Sequence, residues 1–357
     1  MKKLNSKVSY KKIILPIAII VVCFILGLIF PSLVYLFAAA GAYGTALMLG
    51  TLGEIITEKS GNMNLGVEGI MYMGGIFGLI APNMYEMSVG EGNASPFLAI
   101  VFAILSAFAI GAFAGLLFSF ITVTLRANQN VTGLAMTTFG TGVAKFVGEL
   151  RRHKVGGYVT VSNDLKAAFD NKFMPDFLKR IPVIGRVLFD QSIFFYLSIL
   201  LAIAVFLFLT KTKKGLYLRA VGESPVTADA AGINITLYKY LATIIGGGVS
   251  AIGGMVYTMT TAGCVWIEAS LAGTGWLAVA LVIFCSWHPI QATWSSVLFG
   301  ALMIMYLRII VPFFPQELYK ILPYVVTVIV LIITSTRNIK DKQPPASLGV
   351  NYFREDR

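Results

Sequence analysis

Long apolar stretches recur along the whole chain and are separated by short polar segments. A helix that crosses a bilayer needs about 20 mostly apolar residues, and ten stretches approach or exceed that length. They occupy residues 13–30, 33–56, 65–82, 96–125, 131–148, 192–210, 240–261, 271–287, 290–311 and 318–336. The first follows a basic segment but is long and soon followed by others, which favours an uncleaved helix over a signal peptide. The pattern predicts an all-α, polytopic membrane helix bundle with about ten transmembrane helices.

The amino-acid composition supports a membrane location. Hydrophobic residues make up 57% of the 357 residues and charged residues only 13%. Soluble domains are about 45–50% apolar even with glycine counted, and about 25% charged. A soluble globule cannot bury that much apolar surface, and a disordered chain has the opposite composition. We therefore expect a multi-pass protein of the cell membrane, with a single transmembrane domain over residues 1–357 that is surrounded by lipid.

The basic charge is distributed unevenly between the two predicted faces of the membrane. The net charge is +11, and ten spans place both termini on the same side. With the N-terminus inside, 17 of the 28 Lys and Arg residues lie on the inner face and eight on the outer face. Positive charge collects in cytoplasmic loops, so both termini, the loop 211–239 and the tail 337–357 are predicted to be cytoplasmic. We therefore attribute the positive charge to the orientation of the protein in the membrane, and we expect no nucleic acid as a partner.

The predicted outer loop, residues 149–191, departs from that rule because it holds all eight outer basic residues. One explanation is an acidic partner that docks there, since complementary charge speeds encounter. The other is a surface adapted to its membrane. The sequence leaves both explanations open.

Signatures of enzymes and of metal sites are missing from the sequence. It contains neither a G-x-x-x-x-G-K-[ST] phosphate loop nor a G-x-S-x-G nucleophile motif. His153 and His288 are the only histidines, and the three cysteines are dispersed without CxxC pairing. We therefore predict no enzyme activity, no metal and no cofactor in this chain, and transport is the default function.

Small residues recur within the spans, where neighbouring helices must approach closely. In lipid no hydrophobic effect drives helices together, so small faces allow packing through dispersion contacts. The predicted packing positions are Gly111, Gly115, Gly247 and Gly254.

Ionisable residues inside a membrane are costly and are candidates for function. Glu54, Glu58 and Glu68 cluster around the break between the second and third spans, and Glu268 precedes the eighth. Carriers driven by ion gradients use carboxylates beside broken helices, although Glu54 and Glu58 could also face cytoplasmic water. Three cations near predicted outer ends are expected to extend to the interface: Lys145, Arg308 and Lys320.

A polar segment, residues 53–69, joins the second and third spans and is dense in glycine, asparagine and glutamate. Irregular backbone at membrane depth persists only where protein or a water-filled cavity satisfies its polar groups. In one interpretation Asn62, Asn64 and Glu68 hydrogen-bond a polar solute. In the other the segment is a cytoplasmic turn, in which Asn64 caps a helix that begins at Leu65.

A second motif, residues 215–233, lies in the most basic inner loop. Pro225 suits the first turn of a helix capped by Ser224, and Gly232 suits its end. Close docking would be permitted by three small residues, Ala228, Ala230 and Ala231. We predict a short surface helix that couples the bundle to a soluble partner, with an ordinary interfacial helix as the alternative.

Both motifs resemble those of permease subunits of ABC importers in the branched-chain amino acid, simple sugar and nucleoside group. The sequence E-K-S-G-N-M-N-L-G-V-E-G at 58–69 resembles the segment after that group's second helix, and R-A-V-G-E-S-P-x-x-A-x-x-A-G-I at 219–233 resembles its cytoplasmic coupling loop. Further similarity to the nucleoside-type permeases, which work with basic-membrane-protein-like lipoproteins, lies at 181–189, 273–284, 322–327 and 346–352. The resemblance extends from about residue 45 to residue 353.

The resemblance implies a translocation subunit for a small polar solute, with nucleosides favoured and simple sugars as the alternative. It implies a second permease subunit in a heterodimer, an ATP-binding cassette subunit that holds ATP and magnesium, and an external solute-binding lipoprotein. An ion-coupled secondary transporter that uses Glu68 or Glu268 remains the rival, whereas a scaffold or membrane enzyme has no supporting site.

The resemblance also implies roles for individual residues. The implied residues of the substrate pathway are Asn62, Asn64, Glu68, Trp266, Glu268 and Trp276. The last three are placed at its outer mouth, although both tryptophans also suit an interfacial aromatic belt. The implied ATPase-coupling residues are Gly222, Glu223, Pro225, Ala228, Ala231 and Gly232, with Glu223 as the direct contact.

Overall fold

The computed structural model describes residues 31–90, 92–308, 316–337 and 343–353, and over these ranges the chain folds as a bundle of helices. The helices are α1 (Pro31–Glu58), α2 (Val67–Val89), α3 (Pro96–Ser119), α4 (Gln129–Val155), α5 (Asn163–Phe169), α6 (Asp176–Lys179), α7 (Ile193–Lys211), α8 (Lys213–Glu223), α9 (Pro225–Ala230), α10 (Ile235–Val256), α11 (Thr274–Phe284), α12 (Pro289–Arg308) and α13 (Gln316–Arg337). π-Helical turns extend α3 and α10 and precede α7; they are Phe120–Thr124, Tyr257–Thr261 and Gly185–Phe189. The predicted all-α membrane bundle is confirmed.

Nine of the ten predicted apolar stretches fall on the described residues, apart from 309–311 at the end of one of them, and each contains most of one helix. The first stretch, 13–30, lies outside them. Helices long and apolar enough to cross a membrane are Ser32–Glu58, Pro96–Thr124, Ile193–Lys211 and Ile235–Thr261, and shorter apolar helices are Thr274–Phe284 and Pro289–Met305. One prediction is wrong: the stretch 271–287 holds an 11-residue helix, α11, that is too short to be a full span.

Helix α10 lies at the centre of the bundle, against α1, α2 and α3. The contacts with α3 and α2 depend on glycine. A Cβ atom added to Gly111 would lie 2.3 Å from the carbonyl oxygen of Gly247, and one added to Gly254 would lie 1.9 Å from that of Met71. A Cβ atom added to Gly115 would likewise lie 2.3 Å from the carbonyl oxygen of Thr243. The backbones therefore approach at distances that exclude any side chain.

We expect Gly111→Ala to destabilise the bundle, because the added methyl group would collide with the backbone of Gly247, which the hydrogen bonds of α10 hold in place. Overpacking of this kind costs about 1–3 kcal/mol. The matched control is Gly142→Ala, where a Cβ meets nothing within 4 Å and where alanine favours the helix by about 1 kcal/mol. Thermal unfolding in detergent measures both. A Tm of Gly111→Ala equal to or above that of the control would contradict the packing described.

The two ends of the bundle are chemically different. The end that we call the coupling end holds the turn 59–66, the turn 285–288, helices α8 and α9, and the tail segment 343–353. The opposite end, here the loop end, holds residues 83–95, 156–192 and 262–268. The predicted loop 211–239 and the described part of the predicted tail therefore lie on the same face of the protein.

Several basic side chains of the segment 149–191 are engaged within the chain. Arg151 donates from Nε and Nη2 to Oδ1 of Asn83 at 3.0 and 2.8 Å. Lys172 pairs with Asp190 at 2.9 Å, and the Arg186 guanidinium lies over the ring of Tyr35. Part of the unexpected positive charge at the loop end thus serves to hold the loops onto the helices.

Candidate functional site

The turn between α1 and α2 is buried at the coupling end. Asn62 and Asn64 are 0% and 1% exposed. Asn62 donates from Nδ2 to the hydroxyl of Thr243 in α10 at 3.0 Å, and the backbone N–H of Met63 donates to Oε1 of Gln129 at 2.7 Å. Protein groups from α4 and α10 therefore hold this irregular backbone, as they must at membrane depth.

The predicted helix cap at Asn64 is wrong. Its Oδ1 accepts from the backbone N–H of Gly66 at 2.9 Å, which closes a local turn, and α2 begins only at Val67 without a side-chain cap. Asparagine commonly hydrogen-bonds its own backbone two residues on, so the same residue suits a turn as well as a cap.

Two glutamates of α1 face the interior of the bundle. Glu54 and Glu58 are 1% and 3% exposed, so the alternative that they face cytoplasmic water is wrong. Oε1 of Glu54 accepts from the backbone N–H of Asn64 at 3.0 Å. Glu58 accepts from the indole N–H of Trp287, which lies in the turn between α11 and α12. Each buried carboxylate therefore links α1 to another segment of the coupling end.

Glu68, in the first turn of α2, binds the N-terminus of α11. Its Oε1 accepts from the backbone N–H of Gly273 at 2.7 Å, and its Oε2 accepts from those of Gly275 and Trp276 at 2.6 and 3.2 Å. These N–H groups have no partner within their own helix, and the helix dipole favours a negative charge at this position. The carboxylate is only 5% exposed and so replaces water at the helix end.

Helix α11 begins inside the bundle. Its 11 residues extend about 16 Å, roughly half of the 30 Å hydrocarbon core of a bilayer. The preceding segment enters from the loop end, where the backbone N–H of Trp266 donates to the carbonyl of Val159 at 3.1 Å. The far end of α11 approaches Glu58 through Trp287. Residues 262–284 therefore form an irregular segment that enters from the loop end, followed by a half-helix that reaches the coupling end.

The other residues assigned to the outer mouth separate in the structure. Trp266 is 9% exposed and contacts the edge of Tyr72, so an aromatic-belt position is wrong for it. Glu268 is exposed at the loop end and pairs with Lys145 at 2.7 Å; Lys145 therefore has a partner in addition to solvent. Trp276 lies at the buried N-terminus of α11, not at the loop end. The side chains of Arg308 and Lys320 lie outside the described part.

The surface helices at the coupling end have the predicted caps. Ser224 accepts from the backbone N–H of Thr227 at 3.3 Å, and Pro225 occupies the first position of α9. Gly222, Pro225 and Ala228 are buried against the chain itself. The residues exposed at the surface are Glu223, Ala231 and Gly232.

Helix α8 packs directly on the turn after α1. A Cβ atom added to Gly222 would lie 2.4 Å from the carbonyl oxygen of Lys59. The tail segment closes this contact: Ser347 donates from its hydroxyl to the carbonyl of Gly222 at 2.6 Å, and the N–H of Gly349 donates to that of Gly61 at 3.1 Å. The exposed end of α8, the buried turn and the tail are thus joined into one unit, which we call the coupling unit.

Charged groups at the coupling end influence one another's pKa values. Burial lowers the pKa of Lys59, the nearby Glu223 carboxylate opposes this effect, and Arg219 reinforces it. Burial also lowers the pKa of His288 in the turn after α11, and Lys59 lowers it further. Sequence reasoning missed this cluster, as it missed Trp287, because its members come from three distant segments of the chain.

The described residues contain no group of three or more His, Cys, Asp or Glu side chains that could hold a metal ion. Cys264 and Cys285 are buried and unpaired with each other. The arrangement offers a helix end bound by a carboxylate, buried acids with protein donors, and an exposed surface joined to them. Such parts suit movement of segments relative to one another rather than covalent chemistry.

Comparison with known proteins gives a family match over residues 36–331, to the permease component of branched-chain amino acid transport systems. The nucleoside ABC transporter permease protein NupC of Lactococcus lactis is 31% identical over 87% of this chain and 94% of its own length. The guanosine ABC transporter permease protein NupQ of Bacillus subtilis is 31% identical over 88% and 95%. A putative glucose ABC transporter permease protein, TsgC13 of Haloferax volcanii, is 32% identical over 74% of each chain. No solved structure matches this chain.

Proposed function

Because this chain belongs to the family of permease components of branched-chain amino acid transport systems, we propose that it is the membrane subunit of an ATP-driven importer for nucleosides. Relatives named for nucleosides and for guanosine cover nearly the whole chain, whereas the relative named for glucose covers less of it. This difference in coverage favours a nucleoside over a sugar as the solute. The chain itself is a permease and the ATP hydrolysis belongs to a separate subunit.

The observation that carries the proposal is the coupling unit. An ATPase that pushes on the exposed Glu223 and Gly232 would move α8, and Gly222 rests directly on the turn at Lys59. The turn continues into Glu58, which binds Trp287 at the end of α11. A displacement at the surface therefore has a continuous route of packed and hydrogen-bonded groups to the half-helix.

The half-helix is the element that we propose to alter the solute path. Discontinuous helices whose ends lie near the midplane of the membrane are a recurring feature of transporter binding sites. Glu68 holds the N-terminus of α11 with two oxygens, and movement of α11 against α2 would change this contact. Asn62 and Asn64 then act as supports of the turn beneath the path, through Thr243 and Gly66.

Further partners of the importer are a second permease subunit, which completes the path as a heterodimer, and an external solute-binding lipoprotein. The coupling end faces the cytoplasm in this proposal, since it would receive the ATPase. The loop end then receives the lipoprotein, and its basic residues without an ion pair among the described groups, such as Lys154, suit an acidic docking surface.

The ion-coupled carrier is disfavoured by the state of the buried acids. Glu54, Glu58 and Glu68 each accept a hydrogen bond from a protein N–H group. A carboxylate that binds a coupling ion must instead be free to exchange its partner with solvent. Glu268 is free of the bundle interior but pairs with Lys145 on the surface.

Uptake by proteoliposomes tests the proposed solute. The chain is reconstituted with its partner permease, ATPase and lipoprotein, and labelled guanosine is supplied outside with ATP inside. We expect unlabelled nucleosides to compete for uptake and glucose to leave it unchanged. Uptake of labelled glucose, with no uptake of labelled guanosine, would instead assign the chain to sugar transport.

We expect Trp287→Phe to weaken both stability and uptake. The substitution leaves the buried Glu58 without its indole donor, and an unsatisfied buried acceptor costs about 1–3 kcal/mol. A double variant, Trp287→Phe with Glu58→Leu, should recover most of the loss in Tm, because replacing both partners by apolar groups is close to neutral. Its uptake should stay low, since the link between α1 and α11 is gone.

The matched control for that substitution is Trp294→Phe, at a tryptophan that is 72% exposed. It should behave as the wild type in both measurements. If the double variant unfolds as early as the single one, the hydrogen bond to Glu58 is not the source of the effect.

A further inference from the structure

A cavity of about 510 Å³ opens at the coupling end, apart from Glu68 and α11. Its walls come from three places: the π-helical turn after α3, the link between α9 and α10, and the tail. Its lining includes Arg126, Asp229, Asn234, Lys239, Asn351 and Tyr352. The proposed function involves only Gly232 at its edge and assigns no ligand to this space.

Lys239 lines the cavity with an ammonium group for which the described residues supply no hydrogen-bond or ion-pair partner. The side chain is 3% exposed, and no hydrogen bond or ion pair joins its Nζ to any of the described residues. Taking an isolated ion out of water costs several kcal/mol unless a partner repays it. A lysine at the wall of a cavity, without a carboxylate to pair with among the described residues, favours an anion in the space beside it.

The N-terminus of α10, a helix of 22 residues, points into the same cavity. Asn234 uses its side-chain oxygen to accept from the backbone N–H of Leu237 at 3.0 Å. The N–H groups of Ile235 and Thr236 have no acceptor among the residues that the structure describes. Free N–H groups and the positive end of the helix dipole form a common binding site for anions.

Arg126 supplies a second side-chain cation at the rim. It adopts a left-handed backbone conformation with φ of 58°, and its carbonyl accepts from Nδ2 of Asn351 at 2.7 Å. The tail thereby fixes Arg126 beside the cavity. Asp229 is the one carboxylate among the lining residues, and it accepts from the hydroxyl of Tyr352 at 2.9 Å. The positive groups outnumber it.

The surroundings of the rim are apolar. Leu125 and Leu237 are 61% and 50% exposed, and Leu241, one turn further along α10, is 45% exposed. Large exposed leucines beside cations are typical of the level at which acyl chains meet lipid headgroups. A phosphate group in the cavity could then belong to a lipid whose chains cover these leucines.

We propose that this cavity is a binding site for a phosphate group, held by Lys239, Arg126 and the N-terminus of α10. The phosphate comes either from an anionic phospholipid headgroup or from free inorganic phosphate. The bound group stabilises the contact between α10 and the tail, because both contribute to its walls.

Thermal unfolding of the purified full chain in detergent tests the site. The probes are short-chain phosphatidylglycerol, short-chain phosphatidylcholine and inorganic phosphate. We expect phosphatidylglycerol to raise the Tm by at least about 3 °C more than phosphatidylcholine, in line with the effect of a ligand present well above its Kd. A shift with inorganic phosphate as well assigns the site to phosphate in general, and its absence assigns it to the lipid headgroup.

Lys239→Met should abolish the specific shift and, because it removes an unpaired buried charge, raise the Tm in the absence of any phosphate. The matched control is Lys214→Met, an exposed lysine of α8, which should keep the full shift. Equal shifts with the two lipids in the wild-type chain, together with no shift from inorganic phosphate, would overturn the proposal, as would a shift retained by Lys239→Met. Should that variant fail to fold, Arg126→Gln must reduce the shift at least twofold; an unchanged shift overturns the proposal equally.

Discussion

Glu68→Gln is expected to lower solute uptake at least about tenfold while ATP hydrolysis continues. The carboxylate accepts from three backbone N–H groups at the start of α11, and hydrogen bonds to a charged group contribute about 1.5–3 kcal/mol each. Glutamine keeps the size of the side chain but turns an NH₂ group toward one of these donors and removes the charge that offsets the helix dipole. Loss of a single such contact already corresponds to a tenfold effect, since 1.4 kcal/mol is one factor of ten.

Uptake and phosphate release are measured in the same proteoliposomes, so that assembly with the ATPase is followed separately from transport. Glu149→Gln is the matched control, because Glu149 is exposed and forms its ion pairs with Arg152 and His153, its neighbours on the surface of α4. Surface ion pairs contribute little, so the control should keep wild-type uptake. Normal uptake in Glu68→Gln would contradict a role in transport and would show that the segment around Glu68 is only a structural turn.

Gly222→Val is expected to separate ATP hydrolysis from uptake. A Cβ atom at this position would lie 2.4 Å from the carbonyl oxygen of Lys59, and neither backbone can retreat without breaking the hydrogen bonds of Ser347 and Gly349. Overpacking costs about 1–3 kcal/mol, which is enough to displace α8 from the turn. The ATPase would still meet the exposed residues of the segment, but its motion would no longer reach α1.

The number of solute molecules imported per ATP hydrolysed measures this effect, and we expect it to fall about tenfold or more. Gly142→Val provides the control, because it introduces the same side chain into a helix where a Cβ meets nothing within 4 Å. A wild-type ratio in Gly222→Val would show that the contact with Lys59 does not transmit the motion.

Local signals in the sequence predicted much of this architecture. The apolar stretches located the helices because each run is long and bounded by polar or glycine-rich residues. Ser224 and Pro225 predicted the start of α9 because a cap and a proline act within a single turn. The same rule failed at Asn64, where the side chain closes a turn with Gly66 instead of capping α2.

Features that depend on distant partners could not be predicted. The run that contains α11 is apolar apart from the short segment 273–275 and Ser286, so hydropathy alone does not show that the helix begins in mid-bundle. Its start is bound by Glu68, which is 205 residues away from Gly273. The bond between Glu58 and Trp287 spans 229 residues. Lys239 appeared only as one more cation of the basic loop, because its burial follows from the packing of α10 and the tail.

The energy source for transport tests the account most directly. Solute accumulation is measured in proteoliposomes that hold either this chain alone under an imposed sodium or proton gradient, or the full assembly with ATP inside. The account predicts accumulation only in the assembly, and only while ATP is hydrolysed. Accumulation by the chain alone, driven by an ion gradient without ATP, would contradict it.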